Sequence, residues 1–305
     1  MDGDLIMELR IANAPVSWGV DYADAPGNPP WSDVLDGIAA AGYRWIELGP
    51  VGYLPEDREA LGEALAAREL QVAGTFLFDY LHDPARRERV LDAARRTCAL
   101  IARAGGDHLV VLDHLSDART AVAGRSAQAP RLQEGAERDM LDAIRRVAEI
   151  AAEHGLRPVF HPHAGTYVEH RDEIDGVMNA VGADELGLCI DTGHSAYAGV
   201  DPIALYRDYR ERCDYFHFKD IDPVVHARVL AEGLDFDTAV GLGVFCPLGA
   251  GVVDFPALRE ALDETGFRGI ATIEQDRDPA VPADPIEDAR RSLRYLGDVG
   301  LASPQ

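Results

Sequence analysis

A single-domain (β/α)₈ TIM barrel spanning residues 1–305 is the fold predicted by this sequence. Three observations predict it. Eight short β-type runs alternate with Ala-, Leu- and Arg-rich helical stretches along the whole length. Glycines stand where several of the helical stretches should stop. The turn after the first strand, Asn13-Ala14-Pro15-Val16-Ser17-Trp18, lacks the GxGxxG of an open dinucleotide-binding sheet. At 305 residues and 47% hydrophobic content, two domains would fit the length, yet barrels of this size are routinely one.

The elements follow in order. Leu9–Ala14 is the first strand; helix Trp31–Ala41, stopped by Gly42, leads to the second strand at Trp45–Leu48. Helix Arg58–Arg68 precedes the third strand, Gln71–Phe76. Pro84–Ala104, ended by Gly105-Gly106, precedes the fourth, His108–Leu112. Glu134–His154, closed by Gly155, leads to the fifth, Pro158–His163, where Pro162 removes a donor and marks a strand end. Gly187–Asp191 and Tyr215–Lys219 are the sixth and seventh. A stop at Thr265-Gly266 precedes the eighth, Gly269–Glu274, and helix Asp284–Leu296 follows it. Two long segments break the rhythm, Ser116–Leu132 (116–132) and Asp222–Val252 (222–252). Both follow a strand C-terminus, so both belong on the catalytic face, and the second is expected to be a lid.

Composition narrows the partners. A formal net charge of −24 argues against nucleic acid and against anionic membrane surfaces. No apolar run reaches the ~18 residues of a membrane span, and the acidic start Met1-Asp2-Gly3-Asp4 has no leader pattern, so a cytoplasmic protein is expected. Cys98, Cys189, Cys213 and Cys246 are widely spaced, which predicts buried thiols rather than disulfides or a structural zinc site. The charge suits a neutral polyol or sugar as ligand, and a homo-oligomer is compatible with it.

Polar residues gather at the strand C-termini, where a barrel places its chemistry. Those ends read Glu47, Asp113 and His114, His161 and His163, Asp191 and His194, His217 and Lys219, and Glu274. Five of the ten histidines lie there. The chain has one lysine against 28 arginines, and that lysine is Lys219, inside His217-Phe218-Lys219-Asp220. Arg replaces Lys elsewhere, so a retained Lys points to a place where a compact ammonium fits and a planar guanidinium does not. Strand alternation sets His217 and Lys219 on one face and Phe216 and Phe218 on the other. Bland readings exist for each: Asp191 as a helix cap, the paired histidines as structural, Glu274 as a rim ion pair. A mixed imidazole–carboxylate set on neighbouring strands suits a divalent metal, Mn²⁺ or Co²⁺ first, with Fe²⁺, Mg²⁺ or Zn²⁺ also admissible.

These residues resemble the xylose isomerase-like superfamily of sugar isomerases, epimerases and endonuclease IV, and within it the inosose dehydratases. The stretches that carry the resemblance are Val159-Phe160-His161-Pro162-His163-Ala164-Gly165-Thr166, Leu188-Cys189-Ile190-Asp191-Thr192-Gly193-His194, Pro247-Leu248-Gly249-Ala250-Gly251 and Thr272-Ile273-Glu274-Gln275-Asp276. The resemblance implies one metal held by His161, Asp191, His217 and Glu274, with His161 in place of a usual Glu and His163 as the competing ligand. It implies a keto-cyclitol or keto-sugar substrate, touched by Trp18, Glu47, His114 and Arg277. Water elimination beside a ketone then needs a base (His163 or Glu274), an acid (His194) and an oxyanion partner (Lys219). Isomerisation or epimerisation of a keto-sugar through the same enediolate, or a related C-glycoside or keto-sugar lyase reaction, is the runner-up. A Schiff base at Lys219 and a non-catalytic sugar-binding barrel are the remaining alternatives. The segment Gly19-Val20-Asp21 and the pair Asp113-His114 depart from those dehydratases.

Overall fold

The computed structural model describes residues 7–281 and 283–302. Eight parallel strands, Glu8–Asn13, Trp45–Glu47, Gln71–Asp79, His108–Asp113, Arg157–Phe160, Gly187–Asp191, Cys213–Phe218 and Arg268–Ile273, close into a barrel in which the eighth pairs with the first. Around it run the helices Trp31–Ala41, Arg58–Ala66, Arg87–Ala104, Glu134–Glu153, Arg171–Ala180, Pro202–Tyr209, Phe255–Thr265 and Pro285–Asp298. The glycines expected to stop helices do so: Gly42, Gly105 and Gly266 take left-handed backbone at φ 108°, 81° and 61°. Among the described residues no helix is long and apolar enough to cross a membrane, and all four cysteines are free thiols.

Two strands differ from expectation, and both differences shape the catalytic face. The third runs on past Phe76 to Asp79, pairing with the fourth strand up to Asp113. The fifth stops at Phe160. The His161 N–H still donates to the Val111 carbonyl at 2.8 Å, but Pro162 has no N–H, and the His163 N–H turns to Val168 in the loop. His161 and His163 therefore do not share a strand face. Elsewhere the alternation holds. Tyr215 lies in the barrel interior with Ala12, Val110 and Ile270, while Phe216 and Phe218 pack outward under the helices.

The two long segments are packed structure. Segment 116–132 contains one helical turn, Asp117–Thr120, whose fully buried Arg119 donates to Glu173 at 2.6 and 2.9 Å and to Glu169 at 3.4 Å. Segment 222–252 folds into helices Pro223–Glu232 and Phe236–Gly241 and the strand Phe245–Cys246, which pairs antiparallel with Asp220–Ile221. A satellite core of Tyr197, Ile221, Val229, Phe236 and Phe245 holds this cap down.

Asp220, grouped by sequence with His217 and Lys219, serves the cap instead. Its buried carboxylate accepts the backbone N–H groups of Ile221, Gly249, Gly251 and Val253, each at 3.0 Å. Only glycine fits at 251, where a Cβ would lie 2.2 Å from Asp220 Oδ1. Asp220→Ala leaves those donors without an acceptor, so the expected loss is roughly 3 kcal/mol of stability. Denaturant unfolding should show this together with faster proteolysis within 247–253.

Candidate active site

Register brings the strand ends level. Asp191 pairs with His217, and His217 pairs with Thr272. Asp191 then divides its labour between its two oxygens. Oδ1 caps helix Thr192–Tyr197 by accepting the His194 N–H at 2.7 Å. Oδ2 is buried with no hydrogen-bond donor, 3.5 Å from His161 Nε2 and 3.8 Å from His217 Nδ1. The cap reading and the ligand reading of Asp191 are therefore both satisfied by one side chain.

Each imidazole is oriented from behind. His161 Nδ1 donates to the Pro162 carbonyl at 2.7 Å, leaving Nε2 to face Asp191. His217 Nε2 lies 3.0 Å from Glu47 Oε2, an oxygen that also accepts from the hydroxyls of Tyr215 at 2.8 Å and Thr272 at 3.1 Å. His217 Nδ1 faces the other way, 3.1 Å from Glu274 Oε2, and has no hydrogen bond. Burial alone would lower the His217 pKa, but the carboxylates of Glu274 and Glu47 outweigh it and raise the group to about 10.

Lys219 occupies the middle of the acidic side. Its ammonium, 2% exposed, lies 3.3 Å from Asp191 Oδ2 and 3.1 Å from Glu274 Oε2, and donates to Asp276 Oδ1 at 2.7 Å. Burial by itself would lower its pKa, yet Asp191, Asp276 and Glu274 hold it well above the ordinary value. Burial would likewise raise the three carboxyls. Lys219 for Asp191 and Asp276, and His217 with Lys219 for Glu274, reverse that and keep them low. The backbone at Lys219 is clamped by Thr192 Oγ1, which accepts its N–H at 2.9 Å and donates to its carbonyl at 2.6 Å. Gly193 is required beside it, because a Cβ there would come within 2.6 Å of Lys219 Cβ.

His163 falls into a second group with His194 and Asp276 rather than with Asp191 and His217. Its Nδ1 donates to the Ala164 carbonyl at 2.7 Å. Burial, then the neighbouring His194, His161 and Lys219, push its pKa well below the usual value, so it is a neutral imidazole with a free Nε2. His194 lies behind it, with Nε2 3.1 Å from Lys219 Nζ and 3.3 Å from Asp276 Oδ2.

One cavity of about 580 Å³ opens over this array, lined at its polar end by His161, His163, His217, Lys219, Glu274 and Asp276. His114 and Arg277 also line it, the latter with its guanidinium on Asp288 at 3.1 Å. Three expected contributors stand elsewhere. Trp18 packs in the core against Gly37, Glu47 lies beneath His217, and His194 sits behind the lining residues. Among the lining residues not singled out from sequence, two carboxylates bear on this array. Asp276 completes the acidic ring, two positions beyond Glu274. Asp21 comes from the turn after the first strand and is solvent-accessible at the mouth. Desolvation by the cavity walls, then the charge of Asp276, push the Asp21 pKa up, with Lys219 opposing and Glu274 adding to the rise.

The donor set fits a divalent metal. His161, Asp191 and His217 form one group of donors, Glu274 joins it at 3.1 Å from His217 Nδ1, and two buried atoms among them, Asp191 Oδ2 and His217 Nδ1, make no hydrogen bond and meet only charged neighbours. Buried polar atoms are rarely left so unless something else satisfies them. The carboxylate–imidazole contact from Glu47 behind His217 is the arrangement that orients metal-binding histidines.

The sequence profile of the xylose isomerase-like TIM barrel family matches residues 35–299. The chain belongs to that family. It is 32% identical over 293 residues to an inosose dehydratase from Geobacillus kaustophilus, covering 94% of each chain. It is 34% identical over 308 residues to the rhizopine catabolism protein MocC of Rhizobium meliloti, covering 98% of this chain and 90% of that one. Among solved structures, the IolI protein with a bound zinc atom aligns at a TM-score of 0.73 and 15% identity, over 97% of this chain and 100% of that one. In this xylose isomerase-like barrel Glu47 contacts His217 at 3.0 Å and stands in a second group of possible ligands with His217 and Glu274. Glu47→Gln should weaken divalent-metal affinity roughly 10–100-fold, measured by competition with a chromogenic chelator.

Proposed function

We propose that this chain is a metal-dependent hydro-lyase that removes water from a keto-cyclitol such as 2-keto-myo-inositol. The observation that carries the proposal is the convergence of His161, Asp191, His217 and Glu274 beside a protonated Lys219, in a chain related along nearly its full length to inosose dehydratases. Those four side chains would hold the metal, and His161 rather than His163 is the fourth ligand because it groups with Asp191 and His217. Mn²⁺ or Co²⁺ suits this imidazole–carboxylate set. When bound, the ion supplies Lewis-acid charge to a ketone and its neighbouring hydroxyl.

The chain's own groups supply the proton transfers. His163 Nε2, neutral and on the cavity wall, takes the proton from the carbon beside the ketone. The Lys219 ammonium stabilises the enediolate oxygen that forms. A lysine held in its protonated state is no nucleophile, which disfavours the Schiff-base route. Asp21 replaces His194 as the acid for the departing hydroxyl, because it lines the cavity, as His194 does not, and its pKa is pushed up from the ordinary carboxyl value. Epimerisation would use the same group to return a proton on the opposite face of the ring, so it is the relation to inosose dehydratases that favours elimination. His194 and Asp276 hold Lys219 in place.

Incubating the metal-loaded protein with 2-keto-myo-inositol should yield a conjugated diketone, followed by ultraviolet absorbance. Retained ligand binding without turnover would assign a sugar-binding barrel instead. Asp191→Ala should lose both metal and turnover. Lys219→Arg should lower kcat by roughly 10²–10³, nearly as much as Lys219→Met, because the wider guanidinium misplaces its donors. Borohydride with substrate should leave the enzyme unmodified. For Asp21→Asn the expected fall in kcat is roughly 10²–10⁴ with metal content intact; an Asn variant as fast as the parent returns the acid role to another group.

A further inference from the structure

The cavity continues well beyond its polar end. Its volume, about 580 Å³, lies within the roughly 300–1,000 Å³ of pockets that enclose drug-sized ligands, and a bare keto-cyclitol fills only part of it. The remainder carries an aromatic wall beside polar side chains, Asp117, Thr120 and Asp237 among them. Because the third strand runs on to Asp79, the alternating residues Phe76, Phe78 and Tyr80 are all carried onto the cavity wall.

His114 slots between two of these rings. Its centroid lies 4.5 Å from Phe78 at an interplanar angle of 9°, and 4.0 Å from Tyr80 at 10°. The Arg86 guanidinium lies 3.7 Å from the Tyr80 centroid, and two groups so close to one ring must take its opposite faces. The pile thus runs from the rim inward to Phe78, whose centroid is 6.1 Å from that of His163. His114 Nδ1 donates to the Leu115 carbonyl at 3.1 Å, and its Nε2 accepts from the Tyr22 hydroxyl at 3.3 Å. Burial lowers its pKa, so this ring is a neutral member of the stack. With ring faces occupied by each other, the electropositive edges are left for the cavity. Phe236 and Val240 of helix Phe236–Gly241 supply a second, apolar stretch of the cavity wall, with Asp237 of the same helix lining it too.

We propose that the slot between this aromatic pile and helix Phe236–Gly241 binds a flat, π-bearing substituent carried on the keto-ring, so that the preferred substrate is an aryl-substituted keto-polyol. This rests on the reading of the polar end as a keto-ring site. A π face laid against ring edges makes favourable edge-to-face contacts.

The test uses the metal-loaded enzyme and two readouts. Calorimetric binding of myo-inositol is compared with that of its mono-O-benzyl and mono-O-cyclohexylmethyl ethers, none of which carries the reacting ketone. At least one benzyl ether should bind roughly tenfold tighter than the parent polyol, and the saturated ether of the same position should gain less. The benzyl-to-parent ratio should fall towards one in Phe78→Leu/Tyr80→Leu, which keeps the core volume near native, and in Val240→Trp, which fills the slot. Equal binding of benzyl ether and parent, or a benzyl advantage that survives both variants, overturns the proposal. Turnover of 2-keto-myo-inositol is scored separately. A benzyl advantage without dehydration keeps the slot and sinks the assigned reaction; dehydration without a benzyl advantage does the reverse.

Discussion

A fully charged ammonium buried among three carboxylates is the constraint around which this structure is arranged. Lys219 is removed from water, and a buried charge left without partners costs several kcal/mol. Its compensation comes from the ends of two other strands: Asp191 after the sixth, Glu274 and Asp276 after the eighth. Those side chains meet only if the barrel closes in the observed register. Thr192 and Gly193 then set the backbone and side chain of Lys219 by a clamp and a close approach. The same charge cluster that makes the interior costly to bury is what the proposed reaction would use at a developing oxyanion.

The polar interior is economical because single groups satisfy two demands. Asp191 closes a helix N-terminus with one oxygen and presents the other to the centre. Glu47 takes the hydroxyls of Tyr215 and Thr272 and the Nε2 of His217 on one oxygen, making a rigid floor below the ligand set. His161 and His163 each spend Nδ1 on a neighbouring carbonyl, which fixes the tautomer and frees Nε2 for use. Such support restricts the site to small displacements, and reactions of this kind are sensitive to them.

Above the floor, selectivity is built from segments that the barrel itself does not need. Arg119 ties one of them down through a buried ion-paired cluster, and Asp220 pins another through four backbone N–H groups. The cap over the seventh strand brings Phe236 and Val240 to one side of the cavity, and the extended third strand brings an aromatic pile to the other. These walls narrow the approach of water to a charged interior.

Alternating period and helix stops were enough for the sequence to determine the barrel, because a strand's period of two and a glycine's left-handed preference are local properties. The lone lysine and the histidines at strand ends were legible for a related reason: in a barrel, chain position near a strand C-terminus already implies position near the centre. Tertiary structure decided what depends on direction and distance. Asp220 is adjacent to Lys219 in sequence yet turns to the cap, while Asp21 and Asp276 reach the cavity without any local signal. His161 and His163 separated because Pro162 ended the ladder between them, and Trp18 went to the core because Gly37 leaves room for its ring. The aromatic wall depended on a strand running three residues longer than its apolar pattern suggested, an extension set by pairing with the fourth strand. Pairing, packing and charge compensation are relations between distant segments, and only the closed barrel brings them together.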